Sequence, residues 1–209
     1  MLLLLLGVIV WLMTLGASTV NAQAVPAEAK RYQRELTGII QQEWGLGGSA
    51  ARAAAQIHQE SGWRKDVADG RVKSSVGAQG LAQFMPATAN WIVEVYPDLG
   101  EAAPYSPTWA FRAMAKYDGW LFARSKGHTH CDRWWFTLRA YNGGEGHLRA
   151  EGRNSTDPLD RHAVDAACGT ARRSIKHCPE NLGYPDRILN LIEPRYLQAG
   201  WRGRPTCSE

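Results

Sequence analysis

From residue 28 onward, apolar residues recur along most of the chain at helical spacing. Over 28–44 they fall at Tyr32, Leu36, Ile39, Ile40 and Trp44, which predicts an amphipathic helix with Gly45 as its stop. Ser49 suits the N-cap of a second, Ala-rich helix over 50–60, ending at Ser61-Gly62. Residues 61–83 hold several Gly and Ser and no sustained period, so a long ordered loop is expected there, with room for a small hairpin. Pro86 opens a helix that runs to Val95 and stops at Pro97, and Ser106-Pro107 opens another through Met114, Tyr117 and Leu121 to about Ser125. Asp132 is expected to cap a helix carrying Trp134, Trp135, Phe136, Leu138 and Tyr141, ended by Gly143-Gly144. A short helix over 145–151 and a polar loop over 152–160 follow. The last helix starts at Tyr184-Pro185 and passes Leu189 and Ile192, with Pro194 kinking or dividing it because a proline ring removes a backbone donor. The pattern predicts one mainly α domain with little β structure.

Residues 1–24 depart from this pattern. They contain no charged side chain, and Leu2 to Leu6 and Val8 to Met13 form an apolar segment of about 16 residues. Ala22-Gln23-Ala24 reads as a small-x-small cleavage site, with Val25 as the first mature residue. The missing Lys or Arg at the start is unusual for a cleaved signal peptide, and a retained signal anchor is the alternative. Either way, residues 25–209 are expected outside the cytoplasm, in the periplasm, tethered to the membrane in the second case.

The net charge of +4 then sits entirely on the exported part and favours anionic surfaces such as cell-wall polymers. Nucleic acid is not an expected partner, because 20 acidic residues are interspersed with the bases and no nucleic-acid-binding signature is visible. Cys131, Cys168, Cys178 and Cys207 make an even count in an oxidising compartment, which suggests two disulfides. The expected pairs are Cys168–Cys178, closing a local loop, and Cys131–Cys207, tying down the tail. Zinc competes, helped by His128, His130 and His177, but the spacing fits no metal-binding pattern; no metal or cofactor is expected.

The chemistry concentrates at Glu60, a carboxylate placed where the Ala-rich helix stops. In an apolar, aromatic-lined cleft such a group has its neutral form favoured and suits a general acid, whereas at an ordinary helix end it is merely solvated. Three further segments decide between these readings. Ser74-Ser75-Val76-Gly77-Ala78-Gln79-Gly80-Leu81-Ala82-Gln83-Phe84-Met85-Pro86-Ala87-Thr88-Ala89, Ala140-Tyr141-Asn142-Gly143-Gly144-Glu145-Gly146 and Glu180-Asn181-Leu182-Gly183-Tyr184 follow Glu60-Ser61 in order. Together they resemble the soluble lytic transglycosylases (SLT), which have the goose-type lysozyme fold. The resemblance spans about 50–198, and the long second segment makes it specific.

The resemblance implies that Glu60 is the sole catalytic acid/base. It implies that Ser74 lines the cleft near the reacting sugar, that Gln83, Phe84 and Met85 form the cleft floor, and that Tyr141 and Asn142 flank the reacting subsites. The Tyr184 hydroxyl is implied to orient Glu60. On the residues alone, Gly77 and Gly80 serve turns, and Phe84, Met85, Trp134 and Trp135 suit a core better than a glycan platform. Trp63 either stacks on sugar or covers the acid, and His58, two residues before Glu60, points away from it.

This chain departs from the family in a longer stretch between Glu60 and Ser74, in lacking the usual Asn-Pro-x-Ala there, and in Ala82 where Met is common. The extra loop holds Asp66 and Asp69. Most glycosidases use two carboxylates. The SLT family manages with one, closing a 1,6-anhydro ring on MurNAc instead of admitting water. If Asp66 or Asp69 placed a water, the outcome would be hydrolysis, as in a lysozyme. The expected partner is the peptidoglycan glycan strand, cut at the β-1,4 MurNAc–GlcNAc bond by a monomer. The expected setting is a phage endolysin, with a wall-opening enzyme of a secretion or conjugation system as the alternative. A non-catalytic wall-binding module and a chitin-active enzyme are the competing classes.

Overall fold

The computed structural model describes residues 24–72 and 74–207. The leader assigned to 1–24 therefore lies outside the described residues except for Ala24. Ten α-helices occur among the described residues: α1 Ala27–Trp44, α2 Ala50–Ser61, α3 Lys65–Ala68, α4 Pro86–Val95, α5 Pro107–Arg124, α6 His130–Gly143, α7 Glu145–Asn154, α8 Arg161–Ala166, α9 Cys178–Asp186 and α10 Glu193–Gln198. A π-helical segment, Arg187–Ile192, joins the last two. The only β pairing among the described residues is an isolated antiparallel bridge between Gln79 and Phe84, closed by reciprocal backbone bonds of 2.9 and 3.0 Å.

Helix α2 runs through the centre, packed on α1, α10 and the π-helical segment. Ala50, Ala51, Ala53, Ala54 and Ala55 are all buried, so small side chains let neighbouring elements approach on nearly every face. Ser49 caps the helix, accepting from the Arg52 N–H at 3.1 Å. Gly62, at φ 61°, ends it in the left-handed conformation and donates to the His58 carbonyl. Trp63 follows at φ 58°, an unfavourable region for a bulky residue. Burial holds it there: its ring packs against Tyr32, Phe111 and Trp201, and Nε1 donates to the Ala54 carbonyl at 3.2 Å. Trp63 is thus neither a sugar platform nor a cover for Glu60, but the keystone of an aromatic core. Trp134 and Trp135 are buried as well.

Several boundaries differ from the sequence reading. Helix α6 is capped by Thr129, not Asp132; Asp132 sits at the third position and completes a capping box, accepting from the Thr129 backbone at 3.0 Å. Helix α7 continues to Asn154, and α8 arises inside a segment too short to show a period. Helix α9 begins at Cys178-Pro179, six residues earlier than expected, and carries Pro185 in its interior. Pro194 does divide the C-terminal run, starting α10 where a missing N–H is harmless. The expected disulfides, Cys131–Cys207 and Cys168–Cys178, are both present.

Two buried ionic groups hold the helices. In the first, Arg52 of α2 lies over the Trp134 ring at 3.3 Å and donates to Thr206 Oγ1, while Glu193 of α10 accepts from Ser49 and from the Thr206 backbone and hydroxyl. In the second, Arg139 of α6 pairs with Glu151 at 2.5 Å and Asp165 at 2.9 Å, and Arg173 pairs with Glu151 at 2.7 Å.

Candidate active site

The C-terminal end of α2, the loop 74–85, α5 and the ends of α6 and α9 meet around one cleft of about 260 Å³. Its lining includes Glu60, Ser74, Gln83, Phe84, Met85, Tyr141 and Asn142, so seven of the residues singled out in the sequence converge on one place. The eighth, Tyr184, stands behind the cleft on α9, with its hydroxyl donating to Glu60 Oε1.

Each position has a local cause. Glu60 sits in the last turn of α2, fixed by the Gly62 stop. The 79–84 turn folds tightly because Gly80, at φ 69°, lies against the Pro104 carbonyl oxygen, which any Cβ there would strike. Gln83 adopts φ 49° and donates from Nε2 to the Gly80 carbonyl at 2.8 Å. Phe84 is buried and supplies the floor from below, packed on Trp109 and Tyr141, whereas Met85 is 43 % exposed at the rim and is not a core residue. The Tyr141 hydroxyl donates to the Ala82 carbonyl at 2.8 Å and ties α6 to this turn.

Asn142 is oriented by a chain of bonds from the second ionic group. Arg139 Nε donates to Asn181 Oδ1 at 3.0 Å, and Asn181 Nδ2 donates to Asn142 Oδ1 at 2.9 Å. A guanidinium can only donate, so each amide in turn must face its oxygen inward. Asn142 is thereby left with its Nδ2 donors for the cleft.

Burial pushes the Glu60 carboxyl up to about 8; the Tyr184 hydrogen bond opposes this, and the Asp118 and Glu180 carboxyls add to it. Glu60 is therefore largely protonated at neutral pH, as a general acid requires. Burial raises the Tyr141 and Tyr184 hydroxyls well above their ordinary value, with Glu60 as the next cause for both, so both remain hydrogen-bond donors.

Two acids here escaped the sequence reading of the site. Glu180, quoted only as part of a motif, lines the cleft. Asp118 is buried on α5, accepts from Gln56 Nε2 at 3.2 Å, and is pushed up to about 7 by burial. Its signal in the sequence is a lone carboxylate on the apolar stripe of Phe111, Met114, Ala115 and Leu121.

Asp66 and Asp69 do not line the cleft. Asp66 pairs with Arg64 at 2.6 Å, and Asp69 with Lys65 at 2.9 Å and Arg71 at 3.0 Å, all on the surface. The Arg64 and Lys65 hydrogen bonds hold the two carboxyls below their ordinary values. His58 faces Tyr196, with Nδ1 3.0 Å from its hydroxyl, away from the cleft. Among the described residues, His, Cys, Asp and Glu side chains form no group of three or more that could hold a metal ion.

An all-helical domain with one protonated glutamate in a tyrosine-backed cleft defines the class. The family model described as the transglycosylase SLT domain matches residues 37–164, more than half of the chain. The chain belongs to that family, and its domain is a lytic transglycosylase domain. The match includes every cleft residue above except Glu180 and, behind the cleft, Tyr184.

Among solved structures, the 70 kDa soluble lytic transglycosylase from Escherichia coli superposes with a TM-score of 0.60 at 25% identity over 81% of this chain. The complex of the 70 kDa soluble lytic transglycosylase with bulgecin A gives 0.62 at 25% identity over 84%. An inactive mutant of the lytic transglycosylase Slt from Pseudomonas aeruginosa gives 0.61 at 19% identity over 84%, a likeness of fold. This chain spans 25% of the length of each of these structures. No curated protein matches it.

Proposed function

We propose that this protein cleaves the β-1,4 bond between MurNAc and GlcNAc in peptidoglycan and leaves a 1,6-anhydro-MurNAc end. The observation that carries the reading is Glu60: a cleft carboxyl raised to about 8 by burial and held by Tyr184. Glu60 gives its proton to the bridging oxygen as the glycosidic bond breaks. The resulting carboxylate takes the proton of the MurNAc 6-hydroxyl, whose oxygen closes on C1. One group thus serves as acid and then as base, and no water is consumed.

The withdrawal of Asp66 and Asp69 into surface ion pairs favours this route over hydrolysis through that loop. Glu180 supports a second reading, because it brings another carboxylate to the same cleft, where it can hold a water for hydrolysis. Mass spectrometry of muropeptides released from purified walls separates the two. Anhydro ends are expected; reducing MurNAc ends alone, reverting to anhydro ends in Glu180→Gln, would establish hydrolysis instead.

The setting we propose is export to the periplasm through the apolar segment at 1–24, followed by wall breakage as a monomeric endolysin. The uncharged leader and the two disulfides support this reading. Expression of the full chain should lyse a host within a short interval of induction, and a chain starting at Val25 should not. Lysis by both, or slow chaining without lysis, would point to a wall-opening role or another route.

A further inference from the structure

A groove of about 560 Å³ shares no lining residue with the catalytic cleft. The end of α5, helices α6, α7 and α8, and the loop 155–159 build it. Its apolar lining is Phe136, Leu148, Val164, Pro158 and Leu159, and the first three are buried. Its charged lining is Arg124, Lys126, Arg149 and Arg153 against a single carboxylate, Glu145. Glu145 is matched twice over, by Arg124 at 2.9 Å and by Arg149 at 2.8 Å. Lys126 and Arg153 are exposed and form no ion pair among the described residues. Four cations against one carboxylate leave a surplus of three positive charges at the groove, compared with +4 for the whole chain.

The polar groups of the wall are spent internally. Leu159 donates its N–H to Asp157 Oδ1 at 2.8 Å, and its carbonyl accepts from the His128 N–H at 3.1 Å. The Ser155 hydroxyl donates to the Gly152 carbonyl at 2.8 Å, and the Ser125 hydroxyl to the Leu121 carbonyl at 2.9 Å. A peptide laid here would bring main-chain groups that need partners, which this wall does not offer. A hydrocarbon chain needs none, and apolar surface receives it favourably. The unpaired cations call for a negative head on that chain. A bilayer surface fits less well, because Phe136, Leu148 and Val164 are buried rather than protruding into solvent.

We propose that this groove binds a single-chain anionic amphiphile as a monomer. Its hydrocarbon chain lies on Phe136, Leu148 and Val164, and its phosphate or carboxylate head lies among the exposed cations. No residue of the cleft takes part, so the proposal stands apart from the reaction at Glu60.

The test titrates the full chain with decyl phosphate, decyl maltoside and inorganic phosphate, both amphiphiles being kept below micelle formation. Binding is followed by NMR at the methyl groups of Leu148, Leu159 and Val164, which separates the groove from the apolar segment at 1–24. Decyl phosphate should shift these methyls saturably and bind about ten-fold more tightly than decyl maltoside, the equivalent of a pair of exposed ionic contacts. Inorganic phosphate alone should leave them unmoved. Lys126→Gln combined with Arg153→Gln, both on the surface, should remove the preference for decyl phosphate and leave the affinity for the maltoside as it was. Leu159→Asp, which puts a carboxylate in the apolar wall, should abolish binding of both; if that variant does not fold, the surface pair still decides.

Equal affinity for the two amphiphiles would reduce the groove to a non-specific apolar patch and overturn the proposal. So would inorganic phosphate reproducing the shifts, which would mark a plain anion site, or shifts confined to residues outside the groove. Shifts caused by vesicles of anionic phospholipid and not by monomeric decyl phosphate would make this a membrane-facing surface and sink the idea. Tighter binding of the tripeptide Glu-Leu-Glu than of decyl phosphate would assign the groove to a protein partner instead.

Discussion

The two buried ionic groups that hold the helices are built from the same residue types and do different things. Behind Asn142, two arginines meet two carboxylates in direct contact: Arg139 with Glu151 and Asp165, and Arg173 with Glu151. Charges that are matched in this way act as a jig. Their directional bonds pass through Asn181 and fix which end of the Asn142 amide meets substrate. Along α2, the Arg52 guanidinium stacks on Trp134, while Glu193 and Asp118, the latter acting on Glu60, bond mainly to neutral groups. Burial shifts members of both groups, raising Asp165 and lowering Arg139 in the first as it raises Glu193 and lowers Arg52 to about 10 in the second; on the second side it also pushes Glu60 to about 8 and Asp118 to about 7. One wall of the cleft sets geometry and the other sets protonation. What a buried charge reaches decides which job it does: Arg139 reaches Asn142 through Asn181, and Asp118 acts on Glu60.

This contrast can be broken at its strongest points first. Glu60→Gln should lower kcat by about 10³-fold or more while the fold persists, because it removes the only proton donor at the reacting bond. The same substitution should stabilise the protein at neutral pH. Glu60 titrates near 4.5 when unfolded and near 8 when folded, so its contribution is fully present below 4.5 and lost as pH rises toward 8. A residue that cannot ionise escapes that loss, about 3 kcal/mol at pH 7, readable by denaturant titration.

Glu151→Gln tests the other wall. It leaves Arg139 and Arg173 without their shared carboxylate and should cost about 3–5 kcal/mol of stability, seen as a lower melting temperature with an unchanged pH–rate profile in the remaining folded enzyme. Tyr184→Phe should reduce kcat about 10- to 100-fold and move the alkaline limb of activity upward, since the lost hydrogen bond favoured ionised Glu60. Asp118→Asn should give the smallest effect, lowering the alkaline limb by a fraction of a pH unit as a neighbouring negative charge disappears. A shift in the pH profile from Glu151→Gln, or none from Asp118→Asn, would erase the division of labour.

The helix starts at Ser49, Pro86 and Ser106 were legible because capping and proline geometry are local. Glu60, the 74–85 turn and the Tyr141-Asn142 pair were legible from ordered motifs, and the structure brings them to one cleft. Asp132 was misread because an acid at the third position of a capping box looks like a cap from sequence alone. Trp63 was misread because its neighbours Tyr32, Phe111 and Trp201 lie far away in the chain. The same distance hid the ionic groups: Arg139 reaches Asn181 across 42 residues, and Glu193 meets Ser49 across 144. Pairings of that separation leave no periodicity to read.

The segment at Thr206-Cys207 also sets the order in which the protein can become itself during synthesis. Thr206 supplies two of the donors to Glu193, and Cys207 is the partner of Cys131. A ribosome makes both after the residues of every described helix. Until then the nascent chain carries Glu193 short of its donors and a thiol waiting at the start of α6, so the centre of the molecule is latched last. The buried centre of the domain is thus completed by residues that come after its last helix.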